Sequence, residues 1–257
     1  SWLQHARPAM SGLPVAVVGC RQRRRHDDER FTMHDASLTR PALNARQGPR
    51  EALAEALVAS RADTLSTFAA YERALPGLVV PLRAELNPPL WELGHIGWFQ
   101  EYWIARNPER MQGERADPEA QRRAPKRTDA DELYNSSLVP HDTRWQLPLP
   151  DAAGTRDDLA RQLDVSQALL HQAGAGDVEL YFYRLALLHE DMHHEAALYM
   201  ARGLGLTIED PRWQARPLPA PAASLAFDAR DWQLGSMPGE GFSFDNELPG
   251  CTLELRP

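Results

Sequence analysis

Apolar residues recur at helical spacing in four stretches of this chain. The first covers residues 50–75, where leucines and aromatic residues repeat every three or four positions until Pro76 breaks the pattern. The second covers residues 87–107, with Asn87 as the predicted N-cap and Pro88 at the first helical position. Both stretches therefore predict amphipathic helices that bury one face.

The third stretch, residues 154–174, places Thr155 and Asp158 at the spacing of a capping box. The fourth stretch is the longest, and its predicted cap is Asp177. No hairpin signal accompanies these helices, and connections of mixed length join them. The pattern predicts a mainly α fold with a four-helix bundle over residues 48–208.

The flanking segments have a different character. Residues 1–47 lack sustained apolar periodicity and predict a disordered leader, with Met33 as a candidate natural start. Proline and alanine dominate residues 209–224, a composition that predicts a semi-rigid linker. Residues 225–257 alternate aromatic residues with glycine and turn formers, which predicts strands and loops. Because so short a segment does not fold alone, we expect it to begin a second, incomplete domain.

Composition narrows the classes of partner. The 257-residue chain is 43% hydrophobic and carries a formal net charge of -8, which argues against a surface that binds nucleic acid. No uninterrupted apolar run approaches the roughly 20 residues that span a bilayer. Cys20 and Cys251 are too few and too far apart to indicate a disulfide framework. We expect a cytoplasmic protein that binds small molecules and neither nucleic acid nor membrane.

The fourth predicted helix carries an unusual group of polar residues within the sequence LHEDMHHEAALYM. Each helical residue turns the direction by about 100°, so His189 and His193 point the same way within about 40°. Apolar residues extend the same stripe, which predicts that both imidazoles face the bundle interior. His194 and Glu195 project elsewhere and are not predicted to be ligands.

The second helix supplies a third imidazole. His95 lies in the middle of an apolar face of aromatic residues, so it enters the same core. A single inward histidine is usually a hydrogen-bonded core residue, but three on two helices favour a metal site, because each would otherwise need its own buried partner. Three neutral nitrogens leave coordination positions open, as a catalytic site requires. Zinc, iron, nickel and copper all accept this ligand set.

Acidic residues beside the histidines have two interpretations. Glu92 lies three residues before His95 and could orient it, and Glu190 or Asp191 could orient the other pair. The alternative is that these carboxylates lie on a solvated helix face. A structural metal site would need a fourth protein ligand, for which the loop residue His141 is the candidate.

The two histidine motifs, ELGHIGWFQEYW and HEDMHHEA, resemble those of the non-haem iron sulfoxide synthases of ergothioneine and ovothiol biosynthesis. That family joins a DinB-like four-helix bundle to an α+β domain that resembles the formylglycine-generating enzyme. Its iron ligands correspond to His95, His189 and His193. The sequence DWQLGSMPGEGFSFDNELPG, residues 231–250, resembles the opening of the second domain. Together with HEDMH, the sequence HDTRWQLPLP at residues 141–150 is most similar to the selenoneine synthase branch.

The resemblance implies an iron(II) cofactor and an O2-dependent reaction that forms a carbon–sulfur or carbon–selenium bond on the imidazole of hercynine. The second substrate would be a thiol or a selenosugar, and the Pro-punctuated loop that contains Tyr134 and Arg144 would help to bind it. In that family, much of the hercynine pocket and the assisting tyrosine come from the second domain. No catalytic residue is therefore assigned here, and we expect this chain to bind iron but to turn over poorly.

Two other interpretations remain open from the sequence. One is a stand-alone DinB-like enzyme that transfers or hydrolyses a thiol conjugate, with zinc or nickel in place of iron. The other is a helical interaction protein with a closed structural metal site. The substitution His189→Ala separates a catalytic metal site from a structural one, because only loss of a structural metal unfolds the protein.

Overall fold

A computed structural model describes residues 36–213, 220, 228–237 and 239–255. Over these residues the protein is mainly helical, with a small two-stranded antiparallel sheet. The helices are α1 (Ala36–Gln47), α2 (Arg50–Ala74), α3 (Pro89–Gln100), α4 (Ala130–Tyr134), α5 (Ala152–Gln172) and α6 (Asp177–Gly203), and the strands are β1 (Arg230–Leu234) and β2 (Cys251–Leu255). The predicted start at Met33 and most of the predicted linker, residues 209–224, lie outside the described residues.

The four predicted helices are confirmed as α2, α3, α5 and α6, and each of them contacts the other three. Leucines dominate the core where α2, α5 and α6 meet, whereas aromatic residues from α3 and α6 form a second core cluster. α3 ends in a π-helical turn, Glu101–Ala105. Irregular turns of this kind are frequent near functional sites. This four-helix core brings α3 and α6, the two helices with the histidines, into contact.

One buried guanidinium, that of Arg61 in α2, forms hydrogen bonds that connect all four core helices. Arg61 of α2 donates to both carboxylate oxygens of Glu190 on α6, at 2.7 and 3.0 Å. It also donates to the Leu159 carbonyl of α5 and to the Gln100 amide oxygen at the end of α3. The sequence left open whether Glu190 orients a histidine or lies on a solvated helix face, and it does neither, because both of its oxygens bind the buried Arg61.

The predicted N-terminus of α3 needs a correction. The helix begins at Pro89, and its N-cap position is Pro88 rather than Asn87. The Asn87 side-chain oxygen instead accepts a hydrogen bond from Arg144 at 2.9 Å. Because the Asn87 side chain binds Arg144, which is distant in sequence, it does not cap α3.

The start of α5 also differs from its predicted capping box. Asp151 is the N-cap, and its side chain accepts a hydrogen bond from the backbone N–H of Gly154. Thr155 lies inside the first turn, where its hydroxyl donates to the Asp151 carbonyl. α6 begins at Asp177, one residue beyond its N-cap, Gly176.

The predicted disordered leader is wrong over its last twelve residues, since Ala36–Gln47 forms α1. This helix packs against α2 and α6, and Ala45 joins the leucine-rich core. The buried Arg184 of α6 donates to the carbonyls of Ala45 and Gly48. A cationic side chain from another helix therefore satisfies carbonyls at and just beyond the C-terminus of α1, which stabilises the helix.

The predicted strands are confirmed as an antiparallel pair in which Trp232 lies opposite Leu253. The segment between them docks onto α1, where the Phe242 N–H donates to the Arg46 carbonyl and Arg46 pairs with Glu247 at 2.8 Å. Phe242 is buried against Tyr181 of α6. The strand region is therefore attached to the helical core through residues 240–247.

The attachment of residues 240–247 should depend on pH. Hydrogen bonding to Arg46 holds the pKa of Glu247 below the usual value of 4.5. The pair therefore stabilises docking fully above that pH, and the stabilisation is lost as the pH falls through the lower folded-state pKa. We expect the protection factors for amide hydrogen exchange at Phe242 and Phe244 to fall under acid, and Arg46→Met to lower them at neutral pH. The pair is partly exposed, so the cost in global stability should stay within about 1 kcal/mol. Unchanged exchange in Arg46→Met would contradict this prediction.

Candidate metal centre

Three histidines meet between α3 and α6. The ring nitrogens of His95, His189 and His193 that face one another all lie within 4.8 Å. The Nε2 atoms of His189 and His193 are 3.1 Å apart. His95 and His189 are buried, and His193 is partly exposed. The predicted ligand set therefore comes together in the folded chain.

Hydrogen bonds to Nδ1 determine which nitrogen of two of these rings is free. His95 Nδ1 lies 2.8 Å from the Tyr134 carbonyl, and His193 Nδ1 contacts a carboxylate oxygen of Glu92. Both partners can only accept, so Nδ1 carries the proton in each ring. The lone pair of each Nε2 then faces the centre of the cluster, which is the state that binds a metal.

His189 is held by stacking instead. Its ring lies parallel to Phe99, with the ring centroids 3.5 Å apart and an interplanar angle of 4°. Its Nδ1 has no hydrogen-bond partner among the described residues. A buried imidazole with one bonded nitrogen is costly. Coordination of the ring would offset part of that cost.

Burial keeps the two inner histidines neutral. Desolvation, together with the neighbouring His193 imidazole, lowers the pKa of His95 to about 3. Desolvation and the two neighbouring imidazoles hold the pKa of His189 well below its usual value. Burial disfavours the charged form of Glu92, but its contacts with His193, including a hydrogen bond, hold its pKa below the usual value. The buried part of the centre therefore contains neutral imidazoles beside one ionised carboxylate.

Aromatic rings enclose His95 on both faces. Trp91 stacks on it with centroids 4.8 Å apart, and Trp98 lies on the other side at 5.6 Å. Gly94 allows this packing, because a Cβ at that position would lie 2.3 Å from the Tyr134 ring. The close approach of Tyr134 also brings its carbonyl to His95. These rings restrict the motion of the ligand and exclude water from its faces.

Glu92 does orient a histidine, but the structure differs from the prediction in which one. It contacts His193 on α6 rather than His95 on its own helix. Asp191 accepts a hydrogen bond from Ser60 and does not orient a ligand. His194 bonds Thr67, which confirms that it projects away from the cluster. His141 bonds the Leu86 carbonyl, so it does not serve as a fourth ligand in the described structure.

The two predicted loop residues lie beside the centre in different ways. Tyr134 contributes its carbonyl, while its phenol is buried and burial raises its pKa to about 12. Arg144 lies over the Trp91 ring at 3.8 Å from the centroid, so a cation stacks on the indole that covers His95. The hydrogen bond between His95 and the Tyr134 carbonyl was not predicted from the sequence. Every residue has a main-chain carbonyl, so residue type does not indicate which carbonyl will accept the bond.

The arrangement of donor atoms fits a transition-metal ion. Three imidazole nitrogens converge, and two of the rings are oriented through Nδ1, which is the usual support of a metal-bound histidine. The 3.1 Å between the Nε2 atoms of His189 and His193 is close to the roughly 3 Å that separates adjacent ligands when each metal–nitrogen bond is about 2.0–2.1 Å. The fold and the site thus define a helical protein with a candidate three-histidine metal centre.

Comparisons with known proteins add no family to this description. No protein-family model matches the chain, and a search of curated proteins finds no match. Among the described helices, none combines the length and apolarity that crossing a bilayer requires. The functional argument therefore rests on the histidine cluster and its surroundings.

Replacing Glu92 by Gln tests its role in the centre. Gln keeps the size of the side chain but removes the charge that supports His193, so metal affinity should fall about 10–100-fold. Competition against a chromophoric chelator measures this affinity. Glu195→Gln, an exposed change on α6, is the matched control and should leave affinity unchanged. Equal affinities for Glu92→Gln and the wild type would contradict the assigned role.

Proposed function

We propose that this chain carries the iron(II) centre of an O2-dependent non-haem enzyme that forms a carbon–sulfur or carbon–selenium bond on the imidazole of hercynine. The convergence of three imidazole nitrogens on one point is the observation that supports it. In this proposal the four-helix core is DinB-like, and β1 and β2 belong to a domain like the formylglycine-generating enzyme. The second substrate is a thiol or a selenosugar, the latter because of the resemblance to the selenoneine synthase branch.

The number of protein ligands supports a catalytic centre over a structural one. Among the described residues, the cluster contains three ligands, whereas structural zinc sites usually have four. Bound iron(II) would supply the binding and reduction of O2 that oxidative coupling needs. Three neutral ligands leave the full charge of the ion in place, which favours an anionic thiolate or selenolate nearby.

The residues around the centre have separable roles in this proposal. Glu92 and the Tyr134 carbonyl hold two ligand rings in the orientation that binds the ion. Trp91 and Trp98 exclude water from His95 and limit its motion. Arg144, stacked on Trp91, places a positive charge where it can bind an anionic group of the second substrate. These groups bind and orient the reactants, and no proton transfer is assigned to them.

The test is binding of iron(II) and of hercynine to the full chain under anaerobic conditions. Nitric oxide, a stable stand-in for O2, gives bound iron(II) a characteristic electron paramagnetic resonance signal. We expect one iron per chain and a change in this signal when hercynine is added. Because the resemblance assigns much of the hercynine pocket to the second domain, this chain should turn over poorly, so adding hercynine, O2 and a selenosugar or thiol should yield little or no coupled product by mass spectrometry. Failure to bind iron(II), or a signal indifferent to hercynine, would contradict the proposal.

A further inference from the structure

A small cavity borders the metal centre on the side where Glu92 contacts His193. It lies between α2, α3 and α6, next to His193 and its partner Glu92, and has a volume of about 30 Å³. Most of its wall is apolar. The apolar lining includes Phe68, Leu93, Ile96, Ala197 and Met200.

The few polar groups at the wall are nearly all engaged within the protein. The Tyr71 hydroxyl donates to the Ala197 carbonyl, and His194 bonds Thr67. The Thr64 hydroxyl is buried without a hydrogen-bond partner among the described residues. A buried water typically makes about three hydrogen bonds. The Thr64 hydroxyl and one Glu92 oxygen offer fewer than that.

The volume of the cavity and the polarity of its wall together determine which molecule can bind in it. Holding one water requires roughly 10–15 Å³, so the 30 Å³ inside this partly open cavity is enough for a diatomic molecule, whereas hercynine or a sugar would not fit entirely within it. Apolar cavities exclude water and take up apolar atoms and gases such as xenon. A small apolar molecule loses no hydrogen bonds when it moves from water into a cavity with an apolar wall.

We propose that this cavity binds dioxygen and holds it beside His193, so that the gas reaches the centre by a route separate from the larger substrates. The inference rests on the proposed function for its need of O2, but the cavity itself does not depend on a metal. Separate entry would let a bound substrate remain in place while O2 arrives. Thr64 marks the polar end of an otherwise apolar site.

The first experiment uses the metal-free full chain under raised O2 pressure. Dissolved O2 is paramagnetic, so it accelerates the NMR relaxation of methyl protons where it resides. We expect extra relaxation at Leu93, Ile96 and Met200. Equally buried methyl groups of the leucine-rich core, in Leu57 and Leu170, are the internal controls. Uniform relaxation across both groups would overturn the proposal.

A substitution at Thr64 separates dioxygen from water as the occupant. Thr64→Val keeps the shape of the side chain and removes the hydroxyl. If the cavity binds O2 through its apolar wall, the extra relaxation should persist or increase. Loss of the effect in Thr64→Val, or a water held at Thr64 with no response to O2, would show a polar occupant and overturn the proposal.

The second experiment narrows the cavity in the iron-loaded protein. Ala197→Leu places a larger side chain at the wall, and Ala196→Leu makes the same change at the preceding residue of α6, which is also partly buried but lies outside the lining. Oxidation of bound iron(II) by O2 should slow severalfold in Ala197→Leu alone, with iron(II) affinity unchanged in both. Equal rates in the two variants would overturn the proposed route. If no iron binds at all, the proposed function fails while the NMR result still reports on the cavity.

Discussion

Arg61→Met is expected to lower the free energy of unfolding by about 3–5 kcal/mol, the largest effect on stability that we predict. Arg61 and Glu190 are almost fully buried, with 4% and 2% of their side chains exposed. Removing the guanidinium leaves the Glu190 carboxylate charged and unpaired inside the four-helix core. It also removes the donors to Leu159 and Gln100. Urea unfolding of the metal-free protein measures the change.

A double variant distinguishes the cost of an unpaired charge from lost packing. Arg61→Met combined with Glu190→Leu replaces both ions by apolar groups, which is often nearly neutral for a buried pair. We expect it to regain part of the lost stability. A residual cost of about 1–3 kcal/mol should remain, because Gln100 and the Leu159 carbonyl lose a hydrogen bond. A single variant that loses less than about 1 kcal/mol would contradict the prediction.

His189→Ala is expected to have the largest effect on metal binding. The substitution removes one of three nitrogen ligands, so iron(II) affinity should fall by more than the roughly 10–100-fold caused by losing an orienting partner. The metal-free fold should persist, because the four-helix core is built without the metal. Anaerobic iron(II) titration measures affinity, and circular dichroism of the same samples reports the fold.

The matched control for this experiment is His194→Ala on the same helix. Like His189, His194 is buried, but its Nε2 bonds the Thr67 hydroxyl 2.8 Å away and is not part of the cluster. Its loss should reduce stability modestly and leave iron(II) affinity intact. If both variants lost the metal equally, the assignment of the ligands would be wrong. Unfolding of His189→Ala together with loss of the metal would indicate a structural metal site.

The helical spacing of the sequence was sufficient to predict that these three histidines come together. Residues four apart on a helix share a face, so His189 and His193 had to point together wherever α6 formed. The apolar stripe around them determined that this face would be buried. The aromatic residues on either side of His95 implied the same for α3. Periodicity is local, which explains why these predictions agree with the folded chain.

The supporting partners were not predictable in the same way. Glu92 lies one turn from His95 in sequence but contacts His193, which is 101 positions away. Glu190 adjoins His189 yet binds Arg61, and α1 is stabilised by Arg184 from α6. Each of these pairings depends on how two helices cross and rotate against each other. Residue type and local spacing do not indicate how two helices will cross and rotate against each other.

The sequence by itself determined the four core helices, the buried face of each and the three inward histidines, because the α-helical repeat alone dictates these features. Only the tertiary structure decided which acid orients which ring, which carbonyl binds His95, and how residues 240–247 attach to α1. Those contacts join groups distant in the chain, and their geometry exists only once the helices have packed.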